Sequence, residues 1–119
     1  MAKILLIGYE RDWVEGRRRG LRAAGHLVTC AQTLAQGLRA IQSGRFDVVV
    51  LGHAIPQQQR NALAAAAKKS NDGGTRVLVL YSARIDHAEL ADALVDTSAS
   101  TDDLSRAVEY LVGRQARSG

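Results

Sequence analysis

The chain has little of several residue types. It carries one cysteine in 119 residues, Cys30, which can neither close an internal disulfide nor supply a metal cluster. That usage suits a reducing compartment, and a cytoplasmic location is the expectation. Aromatic residues make up only 4% of the chain, so the core has to be built from Val, Leu, Ile and Ala. No apolar run approaches the roughly 20 residues that a membrane-spanning helix needs. The first ten residues hold a short apolar stretch with no small-residue cleavage site after it, which reads as a strand rather than a secretion signal. Hydrophobic residues at 46% and charged residues at 24% describe one globular domain spanning residues 1–119.

Aliphatic runs alternate with helical patterns along the whole chain. Residues 3–8 (KILLIG) are a short run of the kind that a strand covered on both faces produces. Asp12, with Glu15 three places on, predicts a capping box for a helix ending near Ala24, with Gly25 as its stop. A second strand follows over residues 26–31. Thr33 then caps a helix whose Leu34, Leu38 and Ile41 repeat at helical spacing before Ser43 and Gly44 end it. Residues 46–51 (FDVVVL) form the strongest strand, β-branched and central in character. An alanine-rich helix is predicted over 57–70, a strand over 76–81, a helix over 85–93 and a weak strand at 94–95. Ser100 or Thr101 caps the last helix, with Leu104, Val108, Leu111 and Val112 as its stripe, and residues 113–119 read as a frayed tail. The pattern predicts an α/β fold: a single doubly wound, five-stranded parallel sheet of flavodoxin-like order 2-1-3-4-5, with helices on both faces. Functional residues then belong in the loops at the C-terminal ends of the strands.

Three segments carry a family resemblance: KILLI at residues 3–7, Ala24-Gly25-His26, and the stretch from Asp47 to Pro56 (DVVVLGHAIP). In order and spacing they resemble a response-regulator receiver domain over nearly the full length. The resemblance implies phosphorylation of an aspartate after the third strand and an acidic pair after the first strand that holds Mg²⁺. It also implies a hydroxyl residue after the fourth strand and a lysine after the fifth. At those positions this chain has Gly52 for the phosphoacceptor, Gly8 and Tyr9 for the acidic pair, and Thr97 for the lysine. Leu94 stands at the aromatic switch position, and the hydroxyl position falls on Ser82 or, by ungapped counting, on Tyr81. An acyl phosphate needs a carboxylate, so the resemblance implies a pseudo-receiver: no phosphotransfer, no bound metal, no cofactor and no enzymatic activity. A one-residue slip would bring Glu10 towards the vacant site. The pair Gly8 and Gly52 leaves room for a void, and Tyr9 is the candidate to fill it.

The other chemistry-bearing residues read as structural. His53 is expected on the opposite side of the sheet from residue 52 and has no second ligand in motif spacing. His26 and His87 read as surface residues, and Cys30 as a half-buried strand residue. Trp13 reads as a staple against neighbouring apolar surface, with a partner anchor as the sharper alternative. Neither a G-x-G-x-x-G nor a G-x-x-x-x-G-K-[ST] sequence is present, and the loops carry neither a flavodoxin-type phosphate loop nor the cobalamin signature D-x-H-x-x-G.

What the chain does have is arginine. Sixteen Lys and Arg against twelve Asp and Glu leave +4, with Arg11, Arg17, Arg19 and Arg22 grouped on the first helix as a candidate interaction surface. Arg18 sits at the edge of the buried stripe, where its stem snorkels. The resemblance implies docking of a protein partner on that helix, a kinase, a phosphotransfer protein or another regulator. It also implies a possible homodimer through the fourth predicted helix, fifth strand and fifth predicted helix. The alternative is a small basic nucleic-acid-associated protein that uses the arginines on phosphates and loses affinity with salt. No helix-turn-helix and no interleaved aromatics support that alternative. Three family carboxylates replaced by neutral residues, against one missing lysine, move the net charge by about two units, so the basic lean partly records what the site has lost.

Overall fold

The computed structural model describes residues 2–81, 91–96 and 101–117. Among them five parallel strands form one sheet: β1 (Lys3–Ile7), β2 (Leu27–Ala31), β3 (Val48–Leu51), β4 (Arg76–Tyr81) and β5 (Ala93–Asp96), in the order β2-β1-β3-β4-β5. The described helices are α1 (Arg11–Ala23), α2 (Leu34–Ser43), α3 (Gln57–Lys69) and α4 (Thr101–Arg117). The order is the one that the alternating pattern predicts. Residues 82–90, which contain most of the predicted helix over 85–93, lie outside the described residues.

Strand residues alternate between two cores because successive side chains leave a strand on opposite faces. Leu5, Ile7, Val49, Leu51, Val77 and Val79 pack beneath α2 and α3, where Ile41, Leu63, Ala64 and Ala67 meet them. Ile4, Leu6, Val48, Val50, Leu78 and Leu80 pack beneath α1 and α4, against Val14, Leu21, Leu104, Val108 and Leu111. Both faces are covered, which is why the strands read as continuous apolar runs.

Several boundaries differ from the sequence reading. The α1 capping box does not form: the helix starts at Arg11, Glu10 occupies the cap without a side-chain bond, and Glu15 bonds Arg18 at 2.7 Å instead. Arg18 thus takes the Glu15 carboxylate that the capping box needs, and Asp12 still favours the positive end of the helix from within its first turn. The other end behaves as predicted. Gly25 sits at φ +97°, its N–H donates to Arg22 O and the His26 N–H donates to Leu21 O, which closes the helix with a Schellman turn. Thr33 Oγ1 accepts from the Gln36 N–H at 3.0 Å and caps α2 as expected.

β3 begins at Val48, two residues late, because Phe46 turns into the core and Asp47 bridges strands with its side chain, accepting the Lys3 N–H at Oδ2. β5 begins at Ala93, which the pattern had placed in a helix. Asp92 starts it by giving its N–H to Val77 O and accepting the Val77 N–H at Oδ2, where Lys68 also bonds. α4 runs to Arg117 through Gly113, past the predicted start of the tail. An exposed helical glycine costs about 1 kcal/mol, which the neighbouring helix-forming residues offset.

Candidate functional site

The loops that follow β1 and β3 meet at the C-terminal edge of the sheet. There the Gly52 N–H donates to Ile7 O at 2.8 Å and the Gly8 N–H donates to Ala31 O at 3.1 Å, so both glycines are fixed by backbone bonds and buried. The Trp13 ring from the first turn of α1 lies directly against both. A Cβ added at Gly8 would sit 2.7 Å from Trp13 Cζ3 and 2.7 Å from Val14 Cγ2. One added at Gly52 would sit 3.0 Å from Trp13 Cζ3 and 3.2 Å from Ile7 O. The space that a side chain at either position would need is occupied by indole.

Three further side chains frame the ring. The Arg17 guanidinium lies 5.6 Å from the ring centroid, within cation–π reach. The His53 ring meets Trp13 edge-on, with centroids 5.7 Å apart and planes at 70°. On its outer side His53 Nε2 stands 3.8 Å from Glu10 Oε1. Trp13 Nε1 and His53 Nδ1 are both buried with no hydrogen-bond partner.

This arrangement corrects several expectations. Tyr9 does not fill the void: its hydroxyl donates to Gln59 Oε1 at 2.6 Å and its ring packs on the α2–α3 side, where burial raises its pKa. Trp13 fills it, because the first turn of α1 directs that ring back over the sheet edge. His53 is not turned away from the site but forms its wall. Glu10 does not reach into the vacant position, since its carboxylate faces His53. Ser82 and Thr97 lie outside the described residues; Tyr81 ends β4. Sequence reasoning missed the Trp13–His53–Arg17 cluster, although the pairing of two glycines with a tryptophan in the next helical turn was the available signal.

The basic surface is also redrawn. Arg11, Arg19 and Arg22 are exposed, whereas Arg17 turns to the Trp13 ring and leaves that face. Arg18 joins it, held by Glu15, and the bond lowers the Glu15 pKa and raises that of Arg18. His26 is likewise not on the surface. It is 5% exposed, its Nδ1 accepts the Ala2 N–H at 3.1 Å, and Nε2 meets Ser105 Oγ at 3.1 Å. Cys30 is half-buried as expected, and burial raises its thiol pKa. Among the described residues no group of three His, Cys, Asp or Glu side chains is placed to hold a metal, and no helix is long and apolar enough to cross a membrane.

No protein-family model matches the chain, and no curated protein does. Solved structures do. A response regulator receiver domain protein from Clostridium thermocellum aligns over 100% of both chains, with a TM-score of 0.88 and 24% identity. A CheY-like receiver domain protein from Methanospirillum hungatei aligns over 100% of this chain and 99% of that one, with a TM-score of 0.85 and 19% identity. Response regulator TrrA of Thermotoga maritima, solved in complex with Mg²⁺-BeF, aligns over 93% of this chain and 99% of its own, with a TM-score of 0.78 and 23% identity. The fold is that of CheY-like response-regulator receiver domains.

Proposed function

We propose that this chain is a receiver-fold signalling module that is not phosphorylated and acts through protein contacts. The observation that carries this reading is the Trp13 ring seated on Gly8 and Gly52, where the receiver pattern calls for carboxylates. An acyl phosphate requires a carboxylate nucleophile, and Mg²⁺ requires oxygen ligands. Among the described residues, Gly8 and Gly52 supply no carboxylate and the indole takes the space beside them, which supports this reading. Two surfaces remain for partners: the α1 face with Arg11, Arg18, Arg19 and Arg22, and the edge formed by β5 and α4, where Leu94 is 51% and Tyr110 63% exposed. The first suits an acidic protein surface, and the second an apolar contact such as a second copy of the chain.

Incubation with radiolabelled acetyl phosphate and Mg²⁺ tests the reading. The expected result is no incorporated label and no change in the fluorescence of Trp13, which is the single tryptophan. Stoichiometric labelling would overturn it.

A further inference from the structure

β2 is an edge strand: β1 lies on one side, and no strand among the described residues lies on the other. Its Leu27 N–H donates to Ala2 O at 2.9 Å and its Ala31 O accepts the Gly8 N–H at 3.1 Å, so residues 27, 29 and 31 turn their backbone polar groups to β1. These groups alternate in direction along a strand. Those of Val28 and Cys30 therefore point outward, as two N–H donors and two carbonyl acceptors with no partner strand. Native proteins guard such an edge with lysine, proline or a bulge, and the segment LVTCA has none of these. On its α2 side Leu27, at 55%, and Thr29 are also exposed.

The other side of the strand carries charge. Arg11, Glu15, Arg18 and Arg22 of α1 recur at i, i+4, i+7 and i+11, within about 60° of one another around the helix. Val28 and Cys30 face α1. Burial raises the Cys30 thiol pKa, and the charges of Arg18, Glu15 and Arg22 all act on it, which sets this stripe on the β2 side of the helix. Glu15 compensates Arg18 at 2.7 Å. Arg11 and Arg22 are exposed and have no ion pair among the described residues, so one uncompensated positive charge stands at each end of the stripe. Along the helix they are about 16 Å apart, and four residues of extended chain cover about 14 Å.

We propose that the β2 edge takes an extended acidic segment of a partner protein as an added strand. The segment's backbone pairs with the outward groups of Val28 and Cys30. Two carboxylates, four residues apart on the α1 side, match the charges of Arg11 and Arg22, and apolar side chains at the second and fourth positions lie on the side of Leu27. A second copy of this chain fits less well. Antiparallel pairing of β2 with its own copy keeps both α1 helices on one face and sets the two arginine stripes side by side, where like charges repel. The assignment rests on the chain acting through protein contacts, but the two fail separately: acetyl-phosphate labelling tests one and a peptide titration the other.

The full chain is titrated with the capped peptide Glu-Val-Thr-Val-Glu while its amide resonances and hydrogen exchange are followed, with Lys-Val-Thr-Val-Lys as the charge-reversed control. The acidic peptide is expected to saturate and, at about ten times its dissociation constant, to slow exchange of the Val28 and Cys30 N–H groups about tenfold. The basic peptide should bind about fivefold or more weakly. Pairing is separated from charge by N-methylating either the two Val residues or the Glu and Thr residues. Only one set points its N–H groups at β2, so one modified peptide should lose binding and the other keep it. Arg22→Glu is expected to weaken the acidic peptide about fivefold, and because Arg22 is exposed the variant should keep the parent circular dichroism. Absence of saturation up to about 5 mM peptide overturns the assignment, as does equal affinity for the two charges or binding kept by both N-methylated peptides. Exchange at Val28 and Cys30 that slows with chain concentration in the absence of peptide also overturns it, and gives the edge to a second copy.

Discussion

At the residue scale, the plugged edge is a contact between one large side chain and two positions that have none. Gly52→Ala places a Cβ 3.0 Å from the indole and 3.2 Å from a backbone oxygen, so overpacking is expected to destabilise the chain by about 1–3 kcal/mol in urea melts. In a Trp13→Ala background its nearest obstacle is gone, and the increment should fall by about half or more in a double-mutant cycle. Equal increments in both backgrounds would mean that the ring does not occupy the site. His26 supplies a second residue-level test. Burial lowers its pKa, against an opposing pull from Glu109, so the unfolded chain takes up the proton first. The stabilisation is complete above the ordinary value of about 6.5 and is lost as pH falls from there towards the lowered native value. The urea midpoint should therefore drop between about pH 7 and pH 5, and His26→Gln should show a shallower slope over that window. The loss of the carboxylates could be read from residue identities. The burial of His26 could not, because its partners Ala2 and Ser105 lie 24 and 79 residues away.

At the scale of elements, the two ends of α1 were unequally legible. Gly25 ends α1 because only a left-handed residue lets the next two N–H groups turn back onto Arg22 and Leu21. A Cβ there would meet nothing within 4 Å, so the cost of Gly25→Ala is backbone conformation alone, about 1–2 kcal/mol. A shift in urea midpoint with unchanged m would verify it. The start of α1 misled the sequence reading because the motif names two residues that could bond each other, and Arg18 competes successfully for one of them. Element contacts also divided the arginines. Helical spacing alone places Arg17 among its neighbours, but the ring it covers exists only once α1 lies across β1 and β3.

At the scale of the molecule, Trp13 ties the N-terminal turn of α1 to loops after the two central strands, β1 and β3. Its fluorescence therefore reports the same cooperative unit as the sheet. In a urea titration the fluorescence and far-ultraviolet circular dichroism transitions should coincide, as two-state unfolding requires. An earlier fluorescence midpoint would show that the plug opens before the sheet melts. The two edges of that sheet also differ: one is filled by an aromatic ring, while the other holds an open depression between the C-terminal ends of α2 and α3.

The sequence by itself determined the number, type and order of the described strands, the two-sided core and the absence of carboxylates at residues 8 and 52. These follow from local periodicity and residue identity, which need no knowledge of distant partners. Only the tertiary structure decided that Trp13 rather than Tyr9 fills the vacated space, that His53 walls it and that Arg17 covers it. The direction of a side chain at a strand or helix end is set by what the rest of the fold leaves open, and that volume exists only after the elements pack.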